Sequence, residues 1–387
     1  MTPESGKRVL IFGGWFGSRN AGDEAILLAI KHLLEQAIPG ARIFAHSIDP
    51  EYTRRVCGVE PIFAPQNAHF PGKFLALLRA YRSMDLFVVS GGTPIFDYFF
   101  ASRAFHLGVP LISRVPMVFF GIGVKPVRSR YGKWFYRNVL KRAKYISARD
   151  PNVRERLEAL GVDREIDLTA DSAICLPGSP DREAEESLSR AGVDLDQPIV
   201  GICPIFLADN FRDHYHEPVP RSRREAAYQH LADLADHLIT TGRQVVFLPM
   251  HQVPPDDDCA VIQEIRERMH QSAPALKPSE DPCLVTNLLG RMDMVVGMRL
   301  HSVLLASSRH VPVCAIGFDM KVGSFMDYLS MGRYCESIHT MTYEKLQEMV
   351  EGCWQNRDAI RAQLRQTMDE WRGLVERSAR KLAELPR

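Results

Sequence analysis

The sequence predicts an α/β protein made of two Rossmann-like halves that face one cleft, followed by C-terminal helices. Three observations point there. Short apolar runs alternate with helical patterns, which is the rhythm of a parallel sheet covered by helices. An early glycine-rich turn, Gly13-Gly14-Trp15-Phe16-Gly17-Ser18-Arg19-Asn20-Ala21-Gly22-Asp23, joins an apolar run to a helical one. A late junction, Gly297-Met298-Arg299-Leu300-His301-Ser302, does the same far along the chain. Doubly wound folds bind ligands where a strand stops and a helix begins.

The strands expected in the first half are Arg8–Gly13, Arg42–Ser47, Leu86–Ser90, Met117–Gly121, Tyr145–Ala148 and Ile166–Leu168. Between the first two, Ile26, Leu27, Ile30, Leu33 and Leu34 mark an amphipathic helix over Ala25–Ala37. Asp150-Pro151 starts another, with Asp as N-cap and Pro at the first helical position. Pro177–Pro198, rich in Pro, Asp, Glu and Ser, interrupts the rhythm. Strands resume at Ile199–Cys203, Val245–Leu248, Met294–Gly297 and Val313–Ile316. From Tyr343 to about Leu385 the chain is charged and helical, with Trp354 and Trp371 as packing anchors. The expected division is an N-terminal half over 1–176, a linker over 177–197, a C-terminal half over 198–342 and a helical segment over 343–387.

The 387 residues are 45% hydrophobic and 25% charged, enough for full cores in an ordinary soluble protein. A formal net charge of +1 supplies no overall field for nucleic acid, and none is expected as a partner. Eight scattered cysteines, with no C-x-x-C pair, read as free thiols of a reducing cytosol, not as a disulfide or zinc framework. The polar Met1–Lys7 stretch does not read as a signal peptide, and the longest apolar run, near Val115–Val124, is too short to span a bilayer. The expected location is the cytoplasm.

In the early turn, Gly13, Gly14, Gly17 and Gly22 let the backbone bend and approach a ligand, and the following helix offers free N–H groups to an anion. The spacing is not G-x-G-x-x-G and no Walker lysine follows, so a dinucleotide or P-loop ATP site has little support. Asp23 would repel phosphate. It fits an acid/base or hydroxyl-binding role, or the simpler one of an acid complementing the helix dipole. Ser90-Gly91-Gly92-Thr93-Pro94-Ile95-Phe96-Asp97 ends a second strand in glycines and an acid. Gly91 and Gly92 could floor the cleft, and Asp97 either binds an acceptor hydroxyl or caps a turn. Arg149, after Tyr145–Ala148, either grips a carboxylate or phosphate with its fork or pairs with Asp150 or Asp171.

At the late junction Arg299 and His301 flank Leu300, and His301 could transfer a proton or bind phosphate. Lys321, after the next strand, adds a second cation for the same anion. His251, followed by Asp256-Asp257-Asp258, reads as a polar cleft wall in preference to a metal site. His214-Tyr215-His216 reads as an exposed loop, and no metal is expected.

These motifs together resemble the polysaccharide pyruvyl transferase family. The resemblance spans Gly13 to Lys321 and is carried by Asn20-Ala21-Gly22-Asp23-Glu24, Ser147-Ala148-Arg149-Asp150, Met298-Arg299-Leu300-His301 and Phe318-Asp319-Met320-Lys321. It departs from the family at Gly91-Gly92-Thr93, where a third glycine is usual. It implies a GT-B-like fold, phosphoenolpyruvate as donor, and a pyruvate ketal on a sugar as product, the acceptor often lipid-linked. It also implies that Arg149, His301 and Lys321 serve donor binding or catalysis, and that Asp23 matches an acidic site residue. The resulting expectation is catalysis by Asp23 and His301, with substrate contacts from Arg149, Arg299, Lys321, Gly14, Gly17, Asn20, Gly91, Gly92, Asp97 and His251, and no cofactor. Two other classes stay open: a GT-B glycosyltransferase using a nucleotide-sugar, and a non-catalytic sugar- or nucleotide-binding scaffold.

One stretch lies outside this scheme. Lys125 to Arg149 holds nine Lys/Arg and no acid, with Tyr131, Trp134, Phe135 and Tyr136 among them. Lys73–Arg82 is similar. Either both are helices docking on anionic lipid at the inner face of the membrane, or they pack on the sheet with solvated basic faces.

Overall fold

The computed structural model describes residues 6–63, 71–97, 100–207, 219–253 and 256–385. The chain forms two compact units. The first comprises the described residues of Met1–Ser18, Asp23–Leu176 and Trp371–Arg387; the second comprises those of Arg19–Gly22 and Pro177–Glu370.

The first unit contains, among the described residues, a seven-stranded parallel sheet. Its strands are β1 (Arg8–Gly13), β2 (Arg42–Ser47), β3 (Glu60–Phe63), β4 (Leu86–Ser90), β5 (Met117–Ile122), β6 (Tyr145–Ala148) and β7 (Asp167–Leu168), in the order β3-β2-β1-β4-β5-β6-β7. The helices between them are α1 (Ala21–Ala37), α2 (Pro50–Cys57), α3 (Pro71–Arg82), α4 (Phe100–Ile112), α5 (Arg130–Arg142) and α6 (Pro151–Ala159). The central strands are unbroken apolar runs because helices cover both sheet faces. Leu10 pairs in register with Phe44 on one side and Phe87 on the other. These three side chains join Leu77 of α3, Leu107 of α4 and Leu140 of α5 in one core. The edge strand β3 carries Pro61, which an edge tolerates because one side of it needs no ladder bond.

The second unit has a five-stranded parallel sheet, among the described residues, ordered β12-β11-β10-β8-β9. Its elements run α7 (Asp181–Arg190), β8 (Ile199–Cys203), α8 (Arg221–Thr240), β9 (Gln244–Phe247), α9 (Asp258–Arg268), α10 (Pro282–Gly290) and β10 (Met294–Gly297). Then follow α11 (Leu300–Ser308), β11 (Val313–Gly317), α12 (Met320–Tyr328), β12 (Cys335–Ser337) and α13 (Tyr343–Gln355). The last helix, α14 (Arg357–Ala383), contributes its residues from Trp371 onward to the first unit. There Trp371, Val375 and Leu382 are buried and Arg372 donates to the Ile174 carbonyl. The guanidinium groups of Arg243 and Arg357 lie over the Trp354 ring, at 4.8 and 4.7 Å from its centre.

The stretch 177–197, expected as a linker, contains α7. Ala184 and Leu188, one turn apart, bury its inner side against α10. The 343–387 segment is shared between the two units and does not form a body of its own. His214-Tyr215-His216 lies outside the described residues. Among the described residues no helix is long and apolar enough to cross a membrane.

Candidate functional site

In the first unit the chain leaves β1 and β4 in opposite directions, so the loops after these neighbours meet at the topological switch point. They meet backbone to backbone. A Cβ on Gly13, at φ +135°, would lie 2.2 Å from the Ser90 carbonyl oxygen, and one on Gly91 would lie 2.9 Å from the Gly14 nitrogen. Gly14 is pressed by the Phe16 ring, and Gly17 by Ser47 and Asp49. Packing alone accounts for these glycines. Gly92 differs, because a Cβ there would meet only Asp23 Oδ1, at 3.9 Å.

Asp23 Oδ1 accepts from the Trp15 N–H at 3.1 Å, which draws the loop back over the helix start. The buried Glu24 does the same one residue on: its Oε1 accepts from the Gly17 N–H at 2.8 Å, and its Oε2 lies 3.6 Å from the Cys57 thiol. Glu24 is a loop-shaping residue that the sequence reading passed over in favour of its neighbour.

Asp97 closes the turn before α5. Its carboxylate accepts from the Arg128 and Ser129 N–H groups at 2.6 and 2.9 Å and from Ser129 Oγ at 2.7 Å, tying down the entry to α5. The capping alternative holds there. Arg149 likewise takes its paired alternative, and with both acids. Its Nε lies 3.5 Å from Asp150 Oδ2 and its Nη1 lies 3.2 Å from Asp171 Oδ2. Each carboxylate caps a turn with its other oxygen, Asp150 from Val153 N–H and Asp171 from Ala173 N–H. All three side chains are buried, so the cluster is a clamp of net charge −1 at the end of β6.

The second unit has its own switch point, between β8 and β10, where the Met298 N–H donates to the Cys203 carbonyl at 3.0 Å. Its organising group is Asp258, wholly buried at the start of α9. Asp258 holds Arg299 bidentately, with Nε and Nη2 at 2.8 and 2.7 Å. It also accepts from the N–H groups of Phe206, Met250 and His251, at 3.1, 3.2 and 3.0 Å. One carboxylate thus joins the strand ends of β8, β9 and β10. Sequence reasoning saw only an acidic run; a signal was available in its position opposite Arg299, but spacing alone does not show which of three aspartates turns inward. The neighbouring Asp257 merely caps α9 through the Cys259 N–H.

His251 is buried, and its Nδ1–H donates to the Asp256 carbonyl at 2.8 Å. A carbonyl only accepts, so the neutral ring carries its lone pair on Nε2. Asn20 pairs with His251 in an antiparallel bridge, and its own Oδ1 accepts from the Gly22 N–H at 3.0 Å. A Cβ on Gly22 would fall 2.1 Å from His301 Nδ1 and 2.6 Å from His301 Cβ, so only glycine leaves room for that imidazole.

Arg299, as the extended N-cap residue of α11, precedes His301 in the first turn. Gly297 makes way for Ser302, whose Oγ a Cβ would approach to 2.4 Å. Lys321 sits in the first turn of α12, capped by Asp319, with Nζ 3.9 Å from Asp319 Oδ2. The carboxyl ends of the neighbouring strands β10 and β11 therefore carry Arg299, His301 and Lys321 beside two helix N-termini. That arrangement suits an anion, with a proton-transfer group next to it.

The crystal structure of a glycosyltransferase from Rickettsia africae ESF-5 superposes with a TM-score of 0.61 at 12% identity, covering 98% of each chain. A putative UDP-N-acetylglucosamine 2-epimerase from Listeria monocytogenes gives 0.62 at 13% identity, over 96% of this chain and 93% of that one. The ADP-heptose lps heptosyltransferase II of E. coli gives 0.51 at 16%, over 91% and 99%. At these identities the likeness shows the fold, which is α/β of the GT-B type. No curated protein matches the sequence. The family model for polysaccharide pyruvyl transferase matches residues 20–319, which include Asp23, Arg149, Arg299 and His301. The chain belongs to the polysaccharide pyruvyl transferase family and is a polysaccharide-modifying transferase.

Proposed function

We propose that the protein transfers the enolpyruvyl group of phosphoenolpyruvate to two hydroxyls of one sugar residue, forming a pyruvate ketal and releasing phosphate. The observation that carries this reading is the set of Arg299, His301 and Lys321 at adjacent strand ends and helix N-termini in a member of this family. The donor bears a carboxylate and a phosphate, so it needs cations and helix N-termini. Asp258 occupies the Nε–Nη2 edge of Arg299, which leaves Nη1 to meet the substrate.

In the reaction a proton adds to the donor methylene, making a methyl group and an electrophilic C2. One sugar hydroxyl attacks C2 and loses its proton. The C2–O bond to phosphate breaks, phosphate leaves with a proton, and the second hydroxyl closes the ketal. Two protons leave the sugar; one goes to the methylene and one to the phosphate. His301 and Asp23 are the groups assigned to these transfers. Arg149, clamped between two carboxylates, acts by holding the end of β6 in place. The acceptor is a sugar, carried on a lipid in this reading, and the protein works in the cytoplasm.

The test is incubation of the protein with labelled phosphoenolpyruvate and an extract of lipid-linked oligosaccharides. Label in an acid-labile ketal, with matching phosphate release, is the expected result. Turnover of nucleotide-sugars with no use of phosphoenolpyruvate would overturn the reading and assign a glycosyltransferase instead.

A further inference from the structure

We propose that the outer face of helices α3, α4 and α5 docks on the surface of an anionic lipid bilayer. The inference concerns the first unit alone and does not rest on the reaction proposed above.

The three helices pack side by side, α3 on α4 and α4 on α5, with their inner residues in the core of the sheet. Their charge is one-sided. α3 carries three Lys/Arg, α4 one and α5 five, nine in all, and none of the three carries an Asp or Glu; the one on α4, Arg103, lies over the Phe12 and Phe96 rings and adds nothing to the outer face. The whole chain has a net charge of only +1, so the remainder is net negative by eight. The nearby acids Asp97 and Asp163 are both engaged, Asp97 in capping α5 and Asp163 with Lys141 at 3.5 Å near the far end of that helix.

Large apolar side chains stand on the same helices and point to solvent. Tyr131 is 81% exposed, Ile112 72%, Trp134 68% and Leu75 50%. On α5 the inner side is formed by Tyr136, Val139 and Leu140, all buried, so Tyr131 and Trp134 add nothing to the core. Arg130, Lys133 and Arg137 are exposed beside them. A solvated helix face has no physical need of a tryptophan and a tyrosine in that setting. A bilayer interface does: aromatic rings settle at headgroup depth while Lys and Arg meet the lipid phosphates. The absence of acid over all three helices is what such a surface requires, since a carboxylate would be repelled.

The experiment is co-sedimentation of the full chain with vesicles of phosphatidylcholine alone and of phosphatidylcholine mixed with phosphatidylglycerol. Heparin in solution serves as a lipid-free polyanion. Binding is expected to the mixed vesicles, weakening as salt is raised, with a blue shift of tryptophan emission that W134F removes. Lys133→Gln and Arg137→Gln should each weaken binding about fivefold, and together about twenty-five-fold. Trp134→Ala should weaken it as well. These positions are exposed, so the variants should melt with the wild type. Equal and negligible binding to both vesicles overturns the proposal. So does retention by heparin without vesicle binding, which would assign the face to a soluble polyanion, and so does vesicle binding that none of the variants reduces.

Discussion

Replacing Asp258 should loosen the second unit more than any exposed change in the protein. The carboxylate is wholly buried and serves five donors: two on Arg299 and three backbone N–H groups from the ends of β8 and β9. Removing one partner of a buried ion pair leaves the other charge uncompensated and costs about 3–5 kcal/mol. For a unit of this size each kcal/mol shifts the transition by about 2–4 °C, so Asp258→Ala should lower it by roughly 6–20 °C. Asp258→Asn is the sharper probe. It keeps the shape, but each carboxylate oxygen accepts from Arg299 and from at least one backbone N–H, so whichever way the amide turns, its NH₂ faces donors of both kinds. Calorimetry follows the transition, and amide exchange at Phe206, Met250 and His251 reports whether the strand ends open. Combining it with Arg299→Met should recover part of the loss, with a coupling of about 0.5–3 kcal/mol. Recovery should be incomplete, because at least one backbone N–H, that of Phe206 when the amide oxygen serves Met250 and His251, faces the new NH₂ and stays unsatisfied at about 1–3 kcal/mol. An Asp258→Asn protein with the wild-type transition and unchanged exchange, or strict additivity with Arg299→Met, would refute the account.

Other changes test other parts of the molecule. His301→Gln should lower turnover by roughly 10²–10⁴-fold with an unaltered melting temperature, measured by phosphate release. Gly22→Ala places a methyl 2.1 Å from His301 Nδ1, so steady-state assays should show turnover falling while circular dichroism shows the fold retained. Arg149→Met uncovers two buried carboxylates, and denaturant unfolding should show a loss of about 3–5 kcal/mol in the first unit. Stability should also fall with acid. Burial lowers His46 well below its ordinary 6.5 and lowers His106 to about 4, each also beside the positive Arg103, while Tyr81 OH bonds both rings. Because the unfolded chain takes up these protons first, stability present above pH 6.5 should decline from there down to about pH 4. A His106→Leu variant should flatten that decline in melts taken across the range; an unchanged slope would contradict it.

The elements legible in the sequence are those whose apolar pattern is continuous. β1, β2, β4, β6, β8 and β10 run over the expected residues, because central parallel strands are buried on both faces and must be apolar throughout. The missed strands, β3 and β12, each lie at one edge of their sheet. Glu-Pro-Ile-Phe and Cys-Glu-Ser have no run to detect, and Pro61 argues against a strand unless its edge position is already known. α7 escaped notice for a related reason. Only Ala184 and Leu188 of its ten residues are buried, so charge hides its period.

The candidate site shows a different limit. Sequence placed Arg299, His301 and Lys321 at strand ends, because glycine and polar residues break apolar runs there. It could not say which charges oppose each other, since pairing is decided by partners far along the chain: Arg299 by Asp258, 41 residues away, and Arg149 by Asp171, 22 away. Those partners change the chemistry. An arginine whose fork is filled by a carboxylate is oriented and nearly neutralised as a unit. In the proposed reading, the other positive charge of the second unit comes from Lys321, itself 3.9 Å from Asp319 Oδ2, and from the N-termini of α11 and α12. Lys321→Ala should therefore weaken donor use more than a conservative Arg299→Lys change weakens it, provided the second variant keeps its bond to Asp258. Donor KM for the two variants, with Asp258→Asn as the control for lost orientation, decides between a cation that binds and a cation that positions.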